Sequence, residues 1–309
     1  MREPKRTRGL WRALAVVSVL ALAAAGCGDD DDDAATDDDA GTTEGDGGGA
    51  AGLDEYVENG VTIGIANERP YGYEEGGEAT GEAPELAKEI FSRLGIDQVD
   101  YTVTDFGALI NGLNAGRMDA IAAGMFINEE RAEQVAFADP DYCATTAFAV
   151  PEGNPDDLSD FESVIDSGIN LGVLAGAVEA GYATDSGVPD GQINEFQTTP
   201  DLFDALTAGR IDAVALTAIT VREQVAELEG FEATEGFVPV IDGEEQLGCG
   251  AFAFRPEDQE LRDAFNDELN AMKEADEILP IIEPFGFTET EVEAAKGVTV
   301  EDLIGGGEG

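Results

Sequence analysis

Between residues 61 and 123 the apolar positions switch between two periods. Val61 to Ala66 (VTIGIA) is a short run of β-branched and small residues and predicts a strand. The loop Asn67-Glu68-Arg69-Pro70-Tyr71 ends it, because proline cannot donate to a continuing ladder. From Ala83 to Leu94, Leu86, Ile90 and Leu94 recur every four residues beside Ala87 and Phe91, a helical stripe that Gly95 stops. Val99 to Val103 predicts a second strand, Phe106 to Ala115 a second helix with Leu109, Ile110 and Leu113 on one face, and Met118 to Ala123 a third strand. A βαβαβ run favours a parallel sheet with ligands outside the carboxyl ends of its strands. Glu68, Tyr71, Phe106, Phe126 and Arg131 all sit on loops leaving that edge.

The pattern recurs downstream. Leu171 to Leu174 reads as a strand, Gly176 to Thr184 as a helix, Ile193 to Phe196 as a strand, and Pro200 to Ala208 as a helix with Leu202, Ala205 and Leu206 inward. Then Ala208-Gly209-Arg210-Ile211-Asp212-Ala213 nearly copies Ala115-Gly116-Arg117-Met118-Asp119-Ala120, so two similar α/β halves are expected. A second echo links the stretch from Cys143 to Glu152 with that from Cys249 to Glu257, each following the third strand of its half. Two buried thiols are one reading of the cysteines. Paired crossover strands would instead bring Cys143 and Cys249 together as a hinge disulfide, which an exported protein can keep. A last helix, Glu257 to Ala275, carries Leu261, Phe265, Leu269 and Met272 on one stripe and returns the chain to the first half.

Charge sharpens one position. The 309 residues hold 67 acids, 16 bases and no His. In so acidic a chain Arg131 is either a surface partner of Glu129, Glu130 or Glu133, or a clamp for a small anion where a βα unit opens. Residues 51 to 309 hold 56 acids and 11 bases, a formal charge of −45, and Lys88, Lys273 and Lys296 are their lysines. Such a surface repels nucleic acid and anionic lipid headgroups and suits a high-salt medium.

The N-terminus reads as a targeting segment. Arg2, Lys5, Arg6, Arg8 and Arg12 precede the largely apolar Ala13 to Ala25 and then Gly26-Cys27, which makes residues 1–27 a secretory signal too short to span a bilayer. Ala24-Ala25-Gly26-Cys27 resembles the bacterial lipobox, with Ala three places before the Cys where Leu is commoner. The resemblance implies that Cys27 is lipidated and the protein extracytoplasmic, anchored to the cell membrane; a chance Cys after an ordinary signal is the other reading. Residues 28–52 carry Asp29 to Asp33, Asp37 to Asp39 and a Gly47-Gly48-Gly49 run with almost nothing to bury, which predicts an acidic tether. The spacing lacks the Gly turn and distal Glu of a calcium loop, and no metal or cofactor site is expected.

Taken together, the lipobox, the tether, two α/β halves, the repeated GR-x-DA, Gly124-Met125 followed by Glu130-Arg131, and Phe137-Ala138-Asp139-Pro140-Asp141-Tyr142 resemble the extracellular solute-binding proteins of polar amino-acid ABC importers, over roughly residues 55–290. Within them the chain is similar to the ectoine/hydroxyectoine-binding proteins at Ile65 to Glu68, Phe106 to Ile110, Ala123 to Phe126, Ile282 to Phe287 and both Cys positions. The resemblance implies a type II periplasmic-binding-protein-like fold: an α/β, two-lobed clamp on two hinge strands, with lobe 1 at residues 53–147 and 249–309 and lobe 2 at residues 148–248. It implies a monomer that closes on a small zwitterionic solute and hands it to an ABC permease.

Arg131 would hold the solute carboxylate, Glu68 the ring N–H groups, and Tyr71, Phe106 and Phe126 would box a delocalised cation. Plain amino-acid binders usually have Ser or Thr near position 126 and an Asp after the second GR-x-DA; here stand Phe126 and, further on, Thr217. In the second lobe the ectoine binders have a Gly-rich turn followed by Thr; here Ala175-Gly176-Ala177-Val178 lacks that hydroxyl, and only backbone N–H groups at the helix start remain for a carboxylate. A polar amino acid is the alternative solute. The fold is shared with cyclohexadienyl dehydratase-like lyases, but without His, a Ser-based triad or a metal cluster the chain reads as no enzyme. A sensory receptor lobe would need a signalling module, and the sequence shows none.

Overall fold

The computed structural model describes residues 52–305. The expected signal segment with Cys27, and the expected tether up to residue 51, lie outside the described residues.

The chain enters through α1 (Leu53–Asn59) and β1 (Val61–Ile65), turns through a hairpin of β2 (Tyr73–Glu75) and β3 (Glu78–Thr80), and continues into α2 (Glu82–Arg93) and β4 (Val99–Val103). The expected second helix is divided into a 3-10 turn, Phe106–Ala108, and α3 (Leu109–Asn114). β4 and β5 (Ala120–Phe126) flank β1 and run parallel to it. The third strand thus lies later than Met118 to Ala123 and ends on Phe126. The reason is long-range: Met125 and Phe126 pair with Ala251 and Gly250 from far along the chain.

After α4 (Glu129–Ala132), β6 (Ala136–Phe137) and β7 (Tyr142–Ala144), the chain crosses into a second sheet. There β8 (Thr146–Pro151), α5 (Phe161–Ser167), β9 (Leu171–Leu174), α6 (Val178–Asp185), β10 (Ile193–Phe196), α7 (Thr199–Thr207), β11 (Ala213–Thr217), α8 (Ala218–Ala226) and β12 (Phe231–Ala233) give the order β10-β9-β11-β8-β12. A hairpin, β13 (Val240–Ile241) with β14 (Glu244–Glu245), precedes β15 (Gly248–Phe254), which returns to the first sheet and completes β4-β1-β5-β15-β6, with β7 also on β15. α9 (Gln259–Glu274), α10 (Leu279–Ile282), α11 (Glu289–Ala295) and α12 (Val300–Ile304) follow. Each sheet with its helices forms a lobe. In the first, Phe91, Phe252 and Phe254 close on Phe265; in the second, Phe148, Phe161 and Phe237 cluster.

The repeated GR-x-DA does the same local work in both lobes. Gly116 and Gly209 end α3 and α7, where the backbone N–H of Arg117 reaches Gly112 O and that of Arg210 reaches Ala205 O. Asp119 then accepts from Thr62 N at 2.8 Å, and Asp212 from Asn170 N at 2.8 Å, tying the incoming strand to the foot of its neighbour. The repeat therefore stops a helix and registers a strand, at the sheet edge away from the candidate site.

Where the chain passes between lobes, Cys143 on β7 lies opposite Cys249 on β15 in antiparallel register, and a disulfide joins them with Cα atoms 4.0 Å apart. Both cysteines are buried.

Candidate functional site

The loops leaving the carboxyl ends of the parallel strands in both lobes line a small cavity of about 30 Å³. Glu68 and Tyr71 come from the loop after β1, Phe106 from the turn after β4, Phe126 from the end of β5, and Arg131 from α4. The second lobe contributes Ala177, Val178 and Glu179 after β9, and Leu216 and Thr217 at the end of β11. Phe106, Arg131, Ala177 and Val178 also line a broader adjoining groove, so they form the lip between it and the cavity.

Arg131 is held from several sides. Asn128 caps α4 and accepts from the Arg131 backbone N–H at 2.9 Å, which fixes the turn that delivers the side chain. The side chain is only 7% exposed. Nη1 donates to Phe126 O at 2.5 Å and Nη2 to Gly176 O at 2.8 Å, and the guanidinium lies 5.6 Å from the centre of the Phe106 ring. These contacts rule out the surface pairing with Glu129, Glu130 or Glu133. Burial lowers the guanidinium pKa, and Glu179 is the foremost of the charges resisting that shift.

Gly176 departs from expectation. It does not line the cavity, and it offers Arg131 a carbonyl where the sequence implied an N–H donor. Helix α6 starts later than predicted, at Val178, because Gly176 occupies a left-handed turn at φ 80° and lies against Gly107; a Cβ there would sit 2.8 Å from Gly107 Cα. Backbone touches backbone at that point, across the two lobes.

Opposite the cation stands Glu68, 6% exposed. Burial, with Glu179 adding to it, pushes its carboxyl up to about 8, although the Thr220 hydroxyl bond pulls the other way. A hydroxyl relay ties Glu68 to the second lobe. Thr220 Oγ1 donates to Glu68 at 3.5 Å and accepts from Thr217 Oγ1 at 3.0 Å, and Thr217 lies 2.6 Å from the Tyr71 hydroxyl. Thr220 came to the site unannounced, although its position three residues after Thr217 fits the N-cap bond it makes there.

Of the expected aromatic box, Phe106 faces Arg131, while Tyr71 stacks on Tyr142 with ring centres 5.5 Å apart. Tyr142 in turn touches Phe126 at 6.1 Å and Phe287 at 4.9 Å. It is a second aromatic layer behind the cavity wall; the stretch from Phe137 to Tyr142 stands out in the sequence, but nothing in it gives Tyr142 a place beside Tyr71 and Phe126. Gly124 makes room for that layer: at φ 62° it kinks β5, and a Cβ there would meet the Tyr71 ring at 2.4 Å.

Glu179 was also missed. An acid in the first turn of a helix is an ordinary choice against the helix dipole, so its sequence position carried no signal. Here it is 2% exposed and its Oε1 has no hydrogen-bond partner among the described residues. Burial pushes its carboxyl up to about 7, against the pull of its own backbone N–H and of Arg131.

One buried cation and two buried acids across a ring-lined cavity can hold a small molecule bearing both charges. Residues 61–289 match the model of the bacterial extracellular solute-binding proteins, family 3. A probable amino-acid ABC transporter periplasmic-binding protein of Sinorhizobium fredii is 34% identical over 82% of this chain and 86% of its own. The histidine-binding periplasmic protein of Escherichia coli is 31% identical over 64% of this chain and 75% of its own. Among solved structures, that of EhuB in complex with hydroxyectoine superposes with a TM-score of 0.73 at 36% identity, covering 81% of this chain and 96% of that one. The chain belongs to the bacterial extracellular solute-binding proteins, family 3.

Proposed function

We propose that this substrate-binding protein of an amino-acid-type ABC importer captures ectoine or hydroxyectoine and delivers it to its permease. The observation that carries this reading is the placement of Arg131 and Glu68 on one cavity whose first-lobe wall, Gly124 apart, is otherwise aromatic: Tyr71, Phe106 and Phe126. Ectoine bears a carboxylate and a ring amidinium with delocalised charge. Its carboxylate would take the guanidinium fork, its ring N–H groups Glu68, and its flat cation the ring faces, each face worth about 0.5–2 kcal/mol. The likeness to EhuB, solved with hydroxyectoine, supports the same reading.

Capture would proceed by hinge closure at the two connections, with lobe 1 at residues 53–147 and 249–309 and lobe 2 at residues 148–248. Tyr71 to Thr217, Thr220 to Glu68 and Arg131 to Gly176 would be the contacts that latch the lobes. Lipidation at Cys27 would keep this extracytoplasmic protein beside its permease.

A second solute class has one observation in its favour. Glu179 supplies the buried acid that an α-ammonium would need, so a polar amino acid is the alternative, as the histidine-binding relative illustrates. Calorimetry in high salt with ectoine, hydroxyectoine, glycine betaine, glutamine, histidine and arginine separates the two. Tight binding of an amino acid with no heat from either ectoine form would refute the aromatic-box argument. Incubation with prephenate or arogenate should give no aromatic product if the protein binds without catalysing.

A further inference from the structure

Glu179 is the one charged group lining the cavity to which the zwitterion assigns no partner. It lies on the second-lobe wall at the start of α6, is 2% exposed, and keeps an unbonded Oε1. It lines the same cavity as the two first-lobe anchors, Arg131 and Glu68. The other groups on that wall cannot substitute for it. Ala177, Val178 and Leu216 have no polar side-chain atoms, and Thr217 Oγ1 is already engaged with Tyr71, Thr220 Oγ1 and the Thr220 backbone. A buried acceptor left dry and unpaired weakens any complex in which the solute offers it only methylene groups.

With the carboxylate on Arg131 and one ring N–H on Glu68, the C5–C6 edge of the ring would be left for the second-lobe wall that carries Glu179. In ectoine that edge is CH₂. In hydroxyectoine the carbon beside the carboxylate-bearing carbon carries a hydroxyl, a donor adjacent to the Arg131 end of the solute. We infer that Glu179 is a specificity-determining residue that accepts this hydroxyl, so that the protein prefers the hydroxylated solute over ectoine. The inference rests on the ectoine-class reading above.

The test is the ratio of the ectoine Kd to the hydroxyectoine Kd, measured by calorimetry on the wild-type protein, Glu179→Ala and the near-isosteric Glu179→Gln. The wild type should favour hydroxyectoine by about tenfold, as for a hydrogen bond to a buried acid. Glu179→Ala should bring the ratio to within about twofold of unity, with an unchanged circular dichroism spectrum as proof of a folded protein. Glu179→Gln, which keeps the shape but not the charge, should fall between them and serves where the alanine variant does not fold. A wild-type ratio near unity, or one unchanged in the variants, overturns this assignment while leaving ectoine-class capture standing. Failure of the wild type to bind either compound overturns both.

Discussion

At the residue scale the site rests on buried charges that the solute must complete. Arg131 spends two donors on Phe126 O and Gly176 O, so it is at once a solute clamp in the proposed function and a strut between lobes. Arg131→Ala should therefore lower affinity at least hundredfold by calorimetry, since a charge-assisted contact is worth about 1.5–3 kcal/mol and the strut is lost with it. Arg131→Lys keeps the charge but not the fork and should recover only part; full recovery would show that charge alone suffices. Glu68 sets the pH response. Burial pushes its carboxyl up to about 8, above its ordinary 4.5, so without a neighbouring cation it holds a proton at neutral pH. A cation beside it favours the ionised form, so binding releases protons in the window between the lowered bound-state pKa and about 8. The shift in thermal midpoint produced by saturating ectoine should thus grow from pH 5.5 to 8 and level off above. Glu68→Gln should remove most of that slope, and an unchanged slope would assign the proton to another group.

At the element scale, the hinge strands shape the cavity through residues that never touch its interior. Gly248 on β15 lies beneath Phe126, and a Cβ there would fall 1.9 Å from Phe126 Cε2. Gly248→Ala should push that ring toward the solute at an overpacking cost of about 1–3 kcal/mol. The expected outcome is a tenfold or greater loss of ectoine affinity with an unchanged circular dichroism spectrum; unaltered affinity would mean that the wall yields elsewhere. Such effects mark the boundary of what the sequence makes legible. The parallel triplets β4-β1-β5 and β10-β9-β11, and the duplicated helix stops at Gly116 and Gly209, follow from local periodicity and turn chemistry. The extension of β5 to Phe126 depends on β15, more than a hundred residues away, and no local pattern contains it. The site divides in the same way. Arg131, Glu68 and Thr217 stand at strand ends where a βα fold delivers side chains, whereas Glu179 and Tyr142 acquire meaning only when two lobes and a second aromatic layer close over them.

At the scale of the whole molecule, charge dominates. With 56 acids against 11 bases in residues 51–309, the folded part cannot pair most of its carboxylates. The bases present are shared: Arg93 binds Glu89, Glu268 and Glu277, and Lys296 binds both Asp276 and Glu293. The remaining acids repel one another over a screening length of about 10 Å at 0.1 M salt and about 3 Å at 1 M. Thermal stability should therefore rise with NaCl, by on the order of 10 °C between 0.1 and 2 M, and KCl should act equally if screening is the cause. A midpoint that is flat or falls with salt would show that the acidic surface is neutral to stability. The cavity should answer differently from the surface. Its charges are buried, and a zwitterion carries no net charge for the acidic surface to repel or attract, so ectoine affinity should change less than tenfold over the same salt range. Under the proposed function, fixed and buried charges would let the clamp hold its solute in a concentrated medium, where a compatible solute would be worth importing.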